Sequence, residues 1–280
     1  MTVFHGGQVR YKTENGKLQD YDSSLVRIKK GSKTENNVSL ENYVYENKQG
    51  DKKHYMPEVL SEDTPIIMEK DDCSVRFTPS NETLESLKAE GASPHIKKEK
   101  TETLYESEKT VPISAVYKSE DKNAEIKYTS GDSGIKETIT LNEKPESNVF
   151  TYIFELENMT ARKNPTNEGI TFYDLSGEDI KGAVEAPWMN DASGKAYSED
   201  ITYDIEKIEG KTSRYLLTMT VDKDYLESED RQYPVTIDPT TTWKGNDKLR
   251  DVYVISGSKY GDENFYAEGT NVMPAGKNST

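Results

Sequence analysis

Three histidines, one cysteine and 51 acidic side chains are the groups in this 280-residue chain from which a metal site, a nucleophile or an acid-base pair would be built. His5, His54 and His95 are far apart and lie in polar or terminal segments. Zinc needs clustered ligands, and no His-x-x-x-His or Cys-x-x-Cys spacing occurs, so all three read as surface histidines. Cys73 follows Asp71-Asp72. A neighbouring negative charge raises a thiol's pKa, the wrong direction for a nucleophile, so Cys73 reads as a buried structural thiol. A glycosidase would need two carboxylates about 5–10 Å apart, and sequence cannot single out such a pair here. No Gly-x-Ser-x-Gly elbow, phosphate-binding loop or dinucleotide fingerprint is present. The turns Gly131-Asp132-Ser133-Gly134 and Asn190-Asp191-Ala192-Ser193-Gly194 offer oxygen ligands for calcium, but without EF-hand spacing they read as solvated turns. Trp188, in Glu185-Ala186-Pro187-Trp188-Met189-Asn190, is either a platform for stacking a sugar ring or a packing residue beside Pro187. The residues thus predict no catalytic group, no metal ligand and no cofactor, and leave Trp188 as the single candidate for ligand stacking.

The elements that must position these groups are strands. The net charge is −15 and the mean hydropathy −0.89, yet 18 tyrosines are spread along the chain. Such a chain folds as a wet, tyrosine-rich structure with modest cores, and its field repels nucleic acid and anionic membrane. No apolar stretch approaches the roughly 18 residues that span a membrane as a helix. Period-two alternation begins at Val9 and Tyr11, turns at Asn15-Gly16 and resumes at Leu18 and Tyr21, a strong hairpin signal. Residues 29–55 are polar, with one strand expected at Tyr43-Val44-Tyr45; Ile66-Ile67-Met68 and Val75-Arg76-Phe77 follow. One short helix is expected near 81–90, capped by Ser80 or Asn81 and ended by Gly91. Residues 95–109 read as a solvated connection or an exposed strand pair.

Beyond residue 111 the alternation strengthens. Ala124/Ile126/Tyr128, Ile135/Glu137/Ile139/Leu141 and Phe150/Tyr152/Phe154/Leu156 are followed by Ile170/Phe172, Ile201/Tyr203/Ile205, Tyr215/Leu217/Met219/Val221 and Tyr233/Val235/Ile237. Turns every 8–20 residues or so mark an antiparallel sandwich rather than a βαβ fold. The expected class is all-β: an antiparallel β-sandwich, either one large assembly or two sandwiches. The outline has a β-rich region at 1–110 and a sandwich region at 111–238, forming one domain or two. A boundary near Pro239 precedes the start of a further β domain over 239–280, with a strand at Val252-Tyr253-Val254-Ile255.

Five stretches, in order, resemble the N-terminal region of RHS/YD-repeat wall-associated surface proteins of Gram-positive bacteria. Val9 to Val26 is similar to their opening, with Leu18 where tryptophan is common and Tyr21 where isoleucine is common. Gly134-Ile135-Lys136-Glu137-Thr138-Ile139-Thr140-Leu141 resembles a Lys-Glu strand, and Ala186-Pro187-Trp188-Met189-Asn190-Asp191 an aromatic turn. Tyr233-Pro234-Val235-Thr236-Ile237-Asp238-Pro239 is similar to the closing signature, and Asp251-Val252-Tyr253-Val254-Ile255 resembles the start of a DNRLRE-type domain. The resemblance implies a secreted or cell-wall-associated piece of a very large protein, in which repeats form a shell and a C-terminal toxin acts on neighbouring cells. It implies no catalytic positions in this region.

The function expected from these readings is that of a non-enzymatic extracellular β module. It would present, anchor or space the remainder of the same polypeptide, with a cell-wall or glycan ligand as a further partner and no nucleic acid or membrane span. A carbohydrate-binding module is the alternative, and a glycoside hydrolase or lyase fragment ranks below both. Met1 to Gly7 has no signal-peptide pattern, and the chain is read as a fragment.

Overall fold

The computed structural model describes residues 10–13, 15–101, 109–119, 121 and 123–244, with two-residue strands at 3–4 and 254–255. His5, Val252-Tyr253 and nearly all of the expected further domain lie outside the described residues.

After β1 (Val3–Phe4), the strands β2 (Arg10–Lys12) and β3 (Leu18–Asp20) form the expected hairpin, and Gly16 takes a φ of 76° in its turn. A first meander follows: β4 (Asp22–Arg27), β5 (Tyr43–Gln49), β6 (Lys53–Pro57), β7 (Ile66–Lys70) and β8 (Cys73–Pro79). Helix α1 (Asn81–Ser86) is capped by Ser80, whose Oγ accepts from the Thr83 amide at 3.2 Å. A second meander runs through β9 (Pro94–Thr101), β10 (Lys109–Lys118), β11 (Ala124–Ser130) and β12 (Gly134–Leu141).

The chain then crosses between layers. β13 (Val149–Glu157) joins the first meander beside β8, while β14 (Met159–Lys163), β15 (Ile170–Asp174), β16 (Ile180–Val184) and β17 (Trp188–Asn190) belong to the other sheet. β18 (Ile201–Lys207) and β19 (Arg214–Val221) return to β13. After helix α2 (Lys223–Glu227), β20 (Val235–Asp238) and β21 (Thr240–Trp243) go back to β12, and β22 (Val254–Ile255) pairs with β1. One sheet has the order β18-β19-β13-β8-β7-β6-β5-β4. The other runs β14-β15-β16-β21-β12-β11-β10-β9, with β20 bridging β12 and β17. The expected antiparallel, all-β architecture is what the chain adopts.

Alternation decides which side chains face inward. Phe150, Tyr152, Phe154 and Leu156 are buried while their neighbours Thr151, Ile153 and Glu155 are half-exposed. Phe154 stacks on Phe77 of its own sheet at 5.4 Å and meets Phe172 of the facing sheet at 6.1 Å; Phe77 also meets Tyr128 edge-on at 5.9 Å. These contacts make the two sheets one core.

Strand pairing runs across residue 110 and continues past Pro239. Around residue 110, β9 and β10 pair from Thr101↔Lys109 to Pro94↔Tyr117. Past Pro239, β21 lies between β12 and β16, and Trp243 is buried. Composition marks polar stretches, but a strand whose outer face is solvated can be polar and still complete a ladder.

Candidate functional site

The groups with perturbed chemistry come from alternating strands that place one polar side chain among apolar ones. On β12 the inward positions are Ile135, Glu137, Ile139 and Leu141, so the strand itself carries a carboxyl group into the core. Tyr152 of β13, on the facing sheet, donates to Glu137 Oε1 at 3.0 Å, and Tyr128 of the adjacent β11 at 3.3 Å. Tyr203 of β18 is buried in the same neighbourhood, and its hydroxyl has no partner among the described residues. Burial pushes the Glu137 carboxyl up to about 8, the two tyrosine hydrogen bonds oppose that, and the Asp238 carboxylate adds to it. Enclosed on all sides, Glu137 is out of reach of any substrate.

The opposite face of the same strands makes a surface corner. Lys136, next to Glu137 and pointing outward, forms an ion pair with the buried Asp238, which also accepts from Thr240 Oγ1 at 2.8 Å. β17 pairs with β20 so that Trp188 lies opposite Asp238, and the Lys136 ammonium sits 5.4 Å from the Trp188 ring centre. Tyr197 stacks on Trp188 at 5.9 Å and 27°, and is itself 57% exposed. The Tyr197 hydroxyl donates to Glu199 at 2.6 Å. Trp188 is half-buried beneath these neighbours, and Tyr197 presents the open aromatic surface of the corner.

The other candidates resolve individually. His54, expected at the surface, is fully buried between the sheets: Nδ1 is 2.9 Å from Ser130 Oγ, and Nε2 has no partner among the described residues. Burial, with Lys52 and Lys53 near, drives its imidazole down to about 3. The polar segment around it hides the burial, because Asn47 bridges β5 and β6 by donating to the Lys52 carbonyl and accepting from the His54 amide, each at 2.8 Å. That bridge lets a polar hairpin carry a buried histidine. His95 is exposed on β9. Cys73 is buried, and burial, then Asp72, pushes its thiol up to about 11.

Asp191 is buried, and its oxygens are taken by protein donors: Ser193 N and Oγ at 3.0 and 2.5 Å, Gln232 N at 3.2 Å and Arg231 at 3.4 Å. Its carboxyl is held below the usual range, chiefly by Ser193. In the other Asp-rich turn, the Asp132 carbonyl accepts from the Lys52 ammonium at 2.6 Å. No three His, Cys, Asp or Glu side chains converge as a metal site among the described residues.

Trp188, the stacking candidate of the sequence, lies half-buried against Tyr197 and Lys136, and the inward-facing cluster of Glu137, Tyr128, Tyr152 and Tyr203 is one that sequence reasoning missed. The signal was legible: a glutamate in the apolar phase of an alternating strand marks a buried carboxyl.

No protein-family model matches the chain. It is 31% identical over 140 residues to the tRNA(Glu)-specific nuclease WapA of Bacillus subtilis subsp. natto and to the tRNA nuclease WapA of Bacillus subtilis. It has the same identity, over the same length, to the tRNA3(Ser)-specific nuclease WapA of Bacillus spizizenii. Each match covers 48% of this chain and 6% of the relative, so the chain corresponds to a small part of those proteins. The expectation of a non-enzymatic chain is corrected here: the proteins it resembles are named as nucleases, which are enzymes.

Proposed function

We propose that this chain is a β-sandwich module of a large, wall-associated, toxin-type tRNA nuclease with RHS repeats, and that it presents, anchors or spaces the rest of that polypeptide at the cell surface. The observation that carries this is the similarity itself: 48% of the chain aligns with proteins named as tRNA nucleases, and only 6% of each of those is covered. The order of the five family-like stretches supports the same placement. A net charge of −15 gives this module no electrostatic attraction for tRNA.

The test uses the complete polypeptide that contains this chain. It is expected to cleave tRNA, and removal of residues 22–244 is expected to abolish its retention in the wall fraction or its action on neighbouring cells. Absence of tRNA cleavage by the intact protein would overturn the nuclease reading. Unchanged fractionation and delivery after the deletion would overturn the presenting role.

A second reading, contact with a wall glycan, is favoured by the exposed Tyr197 ring stacked on Trp188. Saturable binding on a glycan array, lost in Tyr197→Ala with an unchanged unfolding midpoint, is its expected result. No saturable binding would sink it.

A further inference from the structure

Among the described residues, no cation pairs with the Glu137 carboxyl. It sits between the sheets, fully buried, and both hydroxyls that reach it come from tyrosines, which donate hydrogen bonds but carry no positive charge. The titratable groups facing it are Tyr128 from β11, Tyr152 from β13, Tyr203 from β18 and Asp238 from β20. Lys136, its neighbour on β12, points to the opposite face and pairs with Asp238. An ionised Glu137 therefore places an uncompensated charge in the seam, beside a second carboxylate and under the unpartnered hydroxyl of Tyr203. A protonated Glu137 leaves the same hydrogen bonds in place without that charge. The Tyr152 bond crosses from one sheet to the other, and although it strengthens to a carboxylate it only partly offsets the cost of burying the charge in the seam between the layers.

We propose that Glu137 is a proton-operated latch between the two sheets, closed when the carboxyl is protonated and loosened when it ionises, so that the module tightens on mild acidification and slackens toward alkaline pH. The direction follows from linkage. The folded chain holds this proton up to about 8, whereas an unfolded glutamate releases it near its ordinary 4.5. The stabilisation is thus full below 4.5 and is lost as pH rises toward 8. His54 works with the opposite sign, and the last half of its change, a factor of about two, falls above its ordinary 6.5. The tyrosines stay protonated through the same range in both states. From pH 6.5 to 8 the two contributions have opposite signs, so the sign of the change tells them apart.

The experiment is urea unfolding of the full 280-residue chain across that interval, for the native sequence and for Glu137→Gln, which keeps the shape and an acceptor oxygen but cannot ionise. The folded-to-unfolded ratio of the native chain is expected to fall about eightfold from pH 6.5 to 8, about a sixteenfold loss at Glu137 set against about a twofold gain at His54, and that of the variant to rise about twofold. A native chain with a flat profile, or a variant with the same fall, overturns the proposal. Should Glu137→Gln not fold, the carboxyl carbon of Glu137 is followed by NMR in the native chain. A titration midpoint above 7 upholds the latch, and one below 5.5 refutes it.

Discussion

Gly134→Ala tests whether the strand beyond Pro239 is integral to the sandwich. Gly134 opens β12 opposite Thr242 of β21, and a Cβ there would overlap the Thr241 carbonyl oxygen and sit 2.7 Å from Thr242 Cα. Ordinary contact for a Cβ begins near 3.4 Å, so β21 would have to retreat by about 1 Å or more from a strand it pairs with over three residues. The obstacle is backbone on a central strand, clasped on its other edge by β16, where Gly182 is equally close to the Thr242 carbonyl. Overpacking of this kind costs about 1–3 kcal/mol, and each ladder hydrogen bond weakened adds about 0.5–1.5 kcal/mol. The expected loss is about 2–4 kcal/mol, a fall in Tm of about 5–15 °C for a domain of this size. The control is Gly131→Ala, three residues earlier, where the nearest atom is the Gly134 carbonyl oxygen at 3.4 Å and φ is not positive. That substitution should leave stability unchanged or raise it by about 0.4–1 kcal/mol through the unfolded chain. Urea and thermal unfolding of both variants decide the matter. Equal midpoints for the two would mean that β21 is not seated against β12, and the argument would fail with it.

Three further outcomes are expected. Phe154→Ala should cost about 3–5 kcal/mol, because it removes a ring that contacts both Phe77 and Phe172. Thr151→Ala, on the other face, should cost about 1 kcal/mol through its hydroxyl bonds to Ser80 and Thr83 at 2.5 and 3.2 Å; comparable urea midpoints for these two variants would reverse the register. His54, held down to about 3, resists a proton that the unfolded chain accepts at 6.5. Its contribution is therefore intact above 6.5 and falls as pH drops toward 3, and His54→Gln should flatten the acid limb of a pH–midpoint curve. A chain ending at Pro239 should show a large drop in unfolding midpoint, whereas one ending at Lys244 should match the described sandwich; equal midpoints would put β21 outside the cooperative unit.

The sequence by itself determined the class of the fold and much of its register. Period-two alternation is a local property, and so Ala124/Ile126/Tyr128 and Phe150/Tyr152/Phe154/Leu156 announce which face they bury before any partner is known. The Asn15-Gly16 turn and the Ser80 cap are equally local, because their backbone requirements are met within a few residues. Tertiary structure decided what alternation cannot: which strands are neighbours. The insertion of β21 between β12 and β16, and the return of β13, β18 and β19 to the first meander, join residues far apart in the chain. No local signal encodes these pairings, since any antiparallel strand of matching face could fill the place. Helix α2 escaped notice because five residues carry too little periodicity, although Asp222 caps it. His54 and Glu137 were misjudged or passed over for a related reason. A polar side chain is expected outside until the strand beside it and the sheet above it supply partners, as Asn47 and Ser130 do for His54 and as Tyr128 and Tyr152 do for Glu137. Burial belongs to the assembled layers, and for these two residues only the layers could settle it.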